Sequence, residues 1–225
     1  VPNIPPRPNA APSPGAVTSE GRSNLGGPTD TNNQSGRENF VRRLIQIESG
    51  GRTNAVTTTG VSNVRGLGQF GRREEAMYGI NDSNWRDPAV QINAINRHVN
   101  RLANAYRARF NAEPTEGQLY LMHQQGIRGG PDLLAANPTM PAWQAVRGGY
   151  GSDRVAQEAI FNNIPNGHSW RQGRTGYASR RGTKLIDDAT LERIVSAVPA
   201  AGFANLWTSR FDGPNNRGPA VAGAQ

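Results

Sequence analysis

Residues 40–51 read Phe-Val-Arg-Arg-Leu-Ile-Gln-Ile-Glu-Ser-Gly-Gly. Counted from Phe40, apolar residues occupy positions i, i+1, i+4 and i+5, and Glu48 lies at i+8. This spacing predicts a helix with Glu48 on or beside its buried face. The two glycines that follow predict the end of the helix. A carboxylic acid at the end of an apolar helix is a candidate for a raised pKa, because burial disfavours the charged form.

The region before this helix has a different composition. Residues 1–36 are rich in Pro, Gly, Asn, Ser and Thr, and they bury too little apolar surface to offset the entropy of ordering. We therefore expect an extended arm or linker over 1–36 that contacts other proteins of an assembly. Ser35-Gly36-Arg37-Glu38 matches the capping box and predicts the start of the first helix. The chain begins at Val1 with no signal-peptide pattern, so we expect a processed chain or a piece of a longer one.

The rest of the chain predicts a mainly α class. Asp87 followed by Pro88 predicts a helix that runs to about residue 110. Thr115-Glu116-Gly117-Gln118 is a second capping box, and its helix is expected to stop at Gly126. Residues 52–65 are predicted to form a loop or short hairpin, and 163–184 a long loop. Shorter helices are expected over 72–78, 131–136, 141–146, 152–162, 187–198 (starting after Asp187 or Asp188) and 203–210.

Length, charge and residue composition exclude several kinds of site and partner. The 225 residues fit one domain of roughly 150–190 residues plus tails. The net charge of +8 lies entirely in residues 37–225, mostly as arginine, which suits an anionic polymer or a basic surface with no dedicated partner. No recognition motif favours a specific nucleic acid. The chain has no cysteine and no histidine in a metal-ligand spacing, so we predict no thiol chemistry, metal site or cofactor. No apolar run is long enough for a membrane span.

Three short motifs follow one another in order. They are Glu48-Ser49-Gly50-Gly51, Asn54-Ala55-Val56 with Gly60, and Arg65-Gly66-Leu67-Gly68-Gln69-Phe70. Together they resemble the glutamate-serine, asparagine, glycine and Gly-Leu-x-Gln pattern of the lytic transglycosylases, enzymes that cut the glycan strands of bacterial peptidoglycan. This chain departs from that pattern by extra residues near 62–64.

The resemblance implies a lysozyme-like helical domain, as in goose-type lysozyme, and a role for each matching residue. Glu48 would protonate the oxygen of the MurNAc–GlcNAc β-1,4 bond and then take a proton from the C6 hydroxyl, giving a 1,6-anhydro sugar. This role requires a raised pKa. Gln69 would bind substrate through its amide, and Gly66 and Phe70 would lie against the sugar. Ser49 would orient Glu48 or cap its helix.

A third segment, 120–126, reads Tyr-Leu-Met-His-Gln-Gln-Gly where many relatives carry Ala-Tyr-Asn-Ala-Gly. The comparison makes His123 and Gln125 candidate cleft residues, and Tyr120 either a cleft or a core residue. With residues 206–211, this segment resembles the subgroup found in tailed-phage virions. The likeness covers 37–211, leaves 212–225 as a tail, and implies a tail-associated protein that acts on the wall in the bacterial periplasm.

Three alternatives remain open. A muramidase on the same scaffold would hydrolyse the bond and would need a second carboxylate. A bacterial secretion-system transglycosylase would act in the periplasm. A structural virion or wall-binding protein would not cleave at all. The acids nearest in sequence that could serve a hydrolase are Glu74, Glu75, Asp82 and Asp87.

Four tryptophans could pack in the core or stack on sugars. We predict that Trp143 and Trp207 belong to the core. Trp85 and Trp170 are left open between the two roles.

Overall fold

A computed structural model of the chain describes residues 31–59, 62–164 and 187–212. These residues form eight helices, one short 3-10 turn and one antiparallel pair of strands. The predicted mainly α class and the small hairpin are therefore confirmed. In chain order the elements are α1 (Thr31–Ser49), β1 (Val56–Thr59), β2 (Ser62–Arg65), α2 (Arg72–Tyr78), α3 (Pro88–Phe110), α4 (Glu116–Ala135), α5 (Ala142–Val146), the 3-10 turn (Arg147–Gly149), α6 (Asp153–Phe161), α7 (Asp188–Ser196) and α8 (Ala200–Asp212).

The first helix begins earlier than the sequence predicted. Helix α1 is already formed at Thr31, so Ser35 lies inside it and the capping-box start is wrong. Once a helix is nucleated, each further residue adds one backbone hydrogen bond, so polar residues of modest propensity can extend it. The predicted arm boundary at residue 36 consequently falls within a helix, while residues 1–30 lie outside the described residues.

The two long helices begin where their caps predicted. Asp87 accepts hydrogen bonds from the backbone nitrogens of Ala89 and Val90, at 2.8 and 3.4 Å. Thr115 and Gln118 form the reciprocal capping box at the start of α4. Gly126 interrupts α4 with φ 81° and ψ 170°, as expected of a helix that stops at this glycine. The helix resumes beyond it and includes most of the predicted 131–136 segment.

The remaining helices differ from prediction mainly at their ends. Asp187 caps α7 by accepting from Thr190 N at 2.8 Å, and α7 ends at Ser196 rather than at Val198. Helix α8 begins at Ala200, before the predicted residue 203. The backbone N–H of Ala200 donates to the Met140 carbonyl at 2.7 Å, which satisfies one donor at the start of the helix. The short helices predicted over 72–78, 141–146 and 152–162 match α2, α5 and α6. The loop predicted over 163–184 lies largely outside the described residues.

The hydrophobic core lies around α4, which packs against α3, α5 and α8. Phe40 and Leu44 of α1 are fully buried, as are Leu121 and Met122 of α4. This packing brings the C-terminal end of α1 next to the first half of α4. The tryptophans predicted as core residues, Trp143 and Trp207, are 7% and 6% exposed. Trp85 is buried as well, while Trp170 lies outside the described residues.

Candidate active site

Glu48 lies in the last turn of α1 and meets two consecutive residues of α4. Its side chain is only 13% exposed. Gln124 donates a hydrogen bond from Nε2 to Glu48 Oε1 at 2.8 Å, and His123 Nε2 lies 3.7 Å from the same oxygen. The structure thus joins two sequence segments that the motifs had singled out separately.

The surroundings of Glu48 act on its pKa in opposite directions. Burial is the largest influence and raises the pKa above its ordinary value. A hydrogen bond from Tyr120, the positive charge of Arg210 and the hydrogen bond from Gln124 all act to lower it, without cancelling the effect of burial. The predicted raised pKa is therefore confirmed. A carboxyl group with a raised pKa keeps its proton to a higher pH than an exposed one, as a general acid requires.

Tyr120 is both a core residue and a partner of Glu48. It is 1% exposed, and its ring centroid lies 4.7 Å from that of Phe211. Burial and the nearby Glu48 raise the pKa of Tyr120 to about 12. The hydroxyl therefore remains protonated near neutral pH and can donate to the carboxylate of Glu48. Of the two alternatives left open by the sequence, the structure shows the core position, with the hydroxyl of Tyr120 in contact with Glu48.

Arg210 is a site residue that the motifs missed. It comes from α8, is exposed to solvent, and stacks its guanidinium over the Trp207 ring at 4.5 Å from the centroid. Its Nη1 lies 3.5 Å from the Tyr120 hydroxyl, so it adds a positive charge beside Glu48. The only sequence feature that pointed to Arg210 was its position within residues 206–211, a segment that the sequence analysis had singled out as resembling a final helix.

The glycine-rich segment after β2 is anchored to α3 through Gln91. Gly66 has φ 76°, and a Cβ atom at this position would lie 2.5 Å from Gln91 Oε1. That oxygen accepts from Leu67 N at 2.5 Å. Gln69 donates from Nε2 to Gly66 O at 2.8 Å, while its Oε1 is buried with no hydrogen-bond partner among the described residues. The amide nitrogen of Gln69 therefore bonds within the loop, while its carbonyl oxygen remains an unpaired acceptor.

Two predicted site residues turn out to serve the fold. Phe70 is 4% exposed, with its ring centroid 5.2 Å from that of His98 and 6.3 Å from that of His123. The prediction that Phe70 lies against the sugar is wrong, because its ring is enclosed by side chains. Ser49 is 3% exposed and donates from Oγ to Ile45 O at 3.0 Å. It therefore closes the end of α1 rather than orienting Glu48.

The two remaining predicted residues lie in α4, and of these His123 is close to Glu48. Gln125 is half-buried, and its Nε2 has no hydrogen-bond partner among the described residues. His123 is 8% exposed and bonds His98, which in turn bonds the Tyr78 hydroxyl. Gln124, His98 and Tyr78 were not predicted. Gln124 lay within a segment already singled out, whereas nothing in the sequence linked Tyr78 to His98.

The neighbouring acids mostly have structural partners. Glu75 is 2% exposed and accepts two hydrogen bonds from Arg65, at 2.5 and 3.1 Å. Asp82 accepts from Arg65 at 2.8 Å, and Asp87 caps α3. Three of the four acids considered for a second catalytic role are therefore engaged elsewhere in the fold.

Other kinds of site were sought over the same part of the chain. Among residues 31–59, 62–164 and 187–212, no group of three or more His, Asp or Glu side chains is arranged to hold a metal ion. None of the helices in these ranges combines the length and apolar character needed to cross a membrane. Comparisons of the chain with models of protein families, with curated proteins and with solved structures gave no significant match.

Proposed function

We propose that this protein is an enzyme that cleaves the MurNAc–GlcNAc β-1,4 bond of peptidoglycan by lytic transglycosylation, on a lysozyme-like helical domain. The observation that carries the proposal is Glu48, a largely buried carboxyl with a raised pKa in the last turn of α1. Its place in an ordered set of motifs that resembles the family's pattern supplies the substrate. Neither feature alone would name the reaction.

The chemistry requires one group that is first an acid and then a base. Protonated Glu48 gives its proton to the glycosidic oxygen, and the bond from that oxygen to C1 of MurNAc breaks. The Glu48 carboxylate then takes the proton of the C6 hydroxyl as O6 bonds to C1, so the acid is restored and no water is consumed. Burial favours the protonated form before the reaction. Tyr120 and Gln124 then stabilise the carboxylate by hydrogen bonding.

Two amides and one guanidinium are suited to holding the glycan. Gln69 Oε1 and Gln125 Nε2 are buried polar atoms without partners in the described part of the chain. Leaving such atoms unpaired costs about 1–3 kcal/mol each, so a ligand gains affinity if the two side chains rotate outward to pair with it. An acetamido group offers both a donor and an acceptor. Arg210, exposed beside the acid, is suited to the carboxylate of the muramic acid or its peptide.

The setting we propose is the tail of a phage particle that opens the wall locally, with the N-terminal region holding the enzyme to its neighbours. The net charge of +8 suits the anionic polymers of a bacterial wall. A bacterial secretion machine in the periplasm is the alternative setting. It would use the same reaction.

Two other functions are less well supported. A muramidase would need a second carboxylate across the cleft, yet Arg65 engages Glu75 and Asp82, and Asp87 caps a helix. A purely structural protein would gain nothing from a buried carboxyl group that no cation contacts directly, because burial destabilises its charged form. These observations favour the transglycosylase.

The test is mass spectrometry of the sugars that wild type and Glu48→Gln release from purified peptidoglycan. We expect 1,6-anhydro products from wild type and none from the variant. Glu38→Gln, an exposed glutamate on the same helix, is the matched control and should act like wild type. Reducing-end products would assign a hydrolase. Binding to the wall with no product from any of the three proteins would favour the structural function.

A further inference from the structure

A line of buried polar side chains runs from Glu48 into the core. His123 Nε2 lies 3.7 Å from Glu48 Oε1, His123 Nδ1 lies 3.1 Å from His98 Nε2, and His98 Nδ1 lies 2.9 Å from the Tyr78 hydroxyl. The three residues come from α4, α3 and α2, and each is 9% exposed or less. We call Tyr78, His98 and His123 the imidazole relay. The scheme proposed above for glycan cleavage makes no use of it.

The direction of the hydrogen bonds in the relay is not free to vary at each link. A neutral imidazole has one N–H donor and one nitrogen acceptor, so the tautomer of one histidine fixes that of the next. In the first direction, Tyr78 donates to His98 Nδ1, His98 Nε2–H donates to His123 Nδ1, and His123 Nε2–H points at Glu48. In the second, His98 Nδ1–H donates to Tyr78, His123 Nδ1–H donates to His98, and His123 Nε2 is an acceptor.

The two directions suit the two charge states of Glu48. A His123 N–H stabilises the carboxylate, whereas a His123 acceptor stabilises the protonated acid. The distance of 3.7 Å is about 1 Å longer than a direct hydrogen bond, which a small rotation or a bridging water closes. We propose that His123, His98 and Tyr78 are positioning residues whose hydrogen bonds reverse together when Glu48 gains or loses its proton. The proposal rests on the function assigned to Glu48 above.

The reversal conserves protons. Starting from ionised Glu48, His123 Nε2–H passes to Glu48, His98 Nε2–H passes to His123 Nδ1, and the Tyr78 proton passes to His98 Nδ1. Tyr78 then takes one proton from solvent. The sum is one proton taken up by Glu48 through its buried side, with both histidines neutral before and after. A glycan that covers the open side of Glu48 would not block this route.

Charged and titratable groups flank the relay. At the Glu48 end they are Tyr120 from α4 and Arg210 from α8. At the Tyr78 end they are Arg97 from α3 and Glu74 from α2, together with Arg101 from α3, which hydrogen-bonds the Tyr78 side chain. Tyr78→Phe removes that bond as well, whereas the other groups are the same in every variant used below.

The direct test is nuclear magnetic resonance of the full chain with 15N-labelled histidine rings, whose shifts distinguish the two tautomers from the charged ring. The chain has only three histidines, so His98→Gln and His123→Gln assign the signals. We expect both relay histidines to change from Nδ1–H to Nε2–H at a single pH midpoint, the one at which the Glu48 carboxyl ionises. In Glu48→Gln this change should vanish. Charged rings at that midpoint, constant tautomers, or an unchanged transition in Glu48→Gln would each overturn the proposal.

A second variant tests the direction in which the relay shifts the ionisation of Glu48. Tyr78→Phe removes the acceptor for His98 Nδ1–H, and a buried N–H without an acceptor is costly, so His98 should stay as the Nε2–H tautomer. This leaves His123 Nε2–H pointing at Glu48 and favours the carboxylate. We expect the Glu48 ionisation midpoint, and the high-pH limit of glycan cleavage, to fall by about half to one pH unit, the worth of one hydrogen bond.

The matched control is Tyr106→Phe, which removes another buried tyrosine hydroxyl, one bonded to Gln118 outside the relay. The Glu48 ionisation midpoint of this variant should equal that of wild type. An unchanged midpoint in Tyr78→Phe would count against the relay. The nuclear magnetic resonance result does not depend on turnover, so an inactive protein with a coupled transition would refute only the proposed function, and an active one without it would refute only the relay.

Discussion

Two glutamates of this protein are largely buried, with side chains 13% exposed at Glu48 and 3% at Glu75, and yet they have different surroundings. Glu75 is bonded twice by the guanidinium of Arg65, whose side chain is itself only 11% exposed. Glu48 is instead bonded by the uncharged donors of Gln124 and Tyr120, with Arg210 acting on it through its charge. Burial raises the pKa of Glu48, and these three partners lower it without offsetting the effect of burial.

The difference shows that burial alone does not make a carboxyl group an acid. A guanidinium in contact balances the charge of a buried carboxylate, and the pair joins β2 to α2. Neutral donors leave the cost of burying the charge in place while still supporting the carboxylate when it forms. We therefore expect substitutions at Glu48 to affect chemistry and substitutions at Glu75 to affect stability.

The largest expected effect is on turnover. Glu48→Gln should lower the rate of glycan cleavage by about 10²–10⁴-fold, because a carboxamide cannot deliver the proton. Glu75→Gln should cleave normally at temperatures where it remains folded. Rates normalised to the folded fraction would test both variants. A loss of activity in folded Glu75→Gln as large as that in Glu48→Gln would contradict the division between the two glutamates.

The second effect is on folding. Glu75→Gln leaves the guanidinium of Arg65 buried with only Asp82 to balance it, so we expect a loss of about 3 kcal/mol in the free energy of unfolding. Urea denaturation followed by circular dichroism would measure the loss. Glu38→Gln provides an exposed control on another helix and should change stability little. Equal stability of these two variants would mean that the Arg65 pair adds nothing to the fold.

The third effect concerns the hydrogen bond from Tyr120 to Glu48. Tyr120→Phe removes a hydrogen bond that lowers the pKa of Glu48, so that pKa should rise further. The high-pH limit of cleavage should then move upward, and kcat should fall by about tenfold because the developing carboxylate loses a donor. A pH profile of kcat would measure both, with Tyr106→Phe as the control. A shift towards lower pH would show that the Tyr120 hydroxyl does not donate to Glu48.

The smallest effect is the pH dependence of stability. The pKa of Glu48 is higher in the folded protein than in the unfolded chain, so its favourable contribution is complete below the unfolded pKa and is lost as pH rises through the folded pKa. Glu48→Gln has no such loss. Relative to wild type, its melting temperature should therefore rise by a few degrees between acidic and mildly alkaline pH. A difference that stays constant over this range would mean that Glu48 is not destabilised by burial.

Much of the fold was predictable because its signals are local. Asp87 caps α3 by bonding residues two and three positions away, and Thr115 and Gln118 bond each other across a single turn. Gly126 breaks α4 through its own backbone conformation. The start of α1 was predicted wrongly because Ser35 fits a capping pattern and yet lies inside a helix that begins at Thr31. A local pattern does not exclude extension of the helix beyond it.

The candidate site was predictable only in part. Periodicity put Glu48 beside the buried face of α1, and the motifs singled out Tyr120 and His123. The partner of Glu48 in α4 is 76 residues away, and which side chain of 120–125 faces it depends on how the helices are rotated against each other. The same packing enclosed Phe70.

The contacts of Arg210 and of the imidazole relay could not be predicted from the sequence. Local spacing determined most of the helices, the caps of α3 and α4, and the place of Glu48 beside the buried face of α1, because each depends on neighbours within one or two turns. The packing of α1, α2, α3, α4 and α8 decided that Glu48 meets neutral donors while Glu75 meets a guanidinium. A pKa depends on every charge and dipole within several ångströms, and those groups come from helices far apart in the chain.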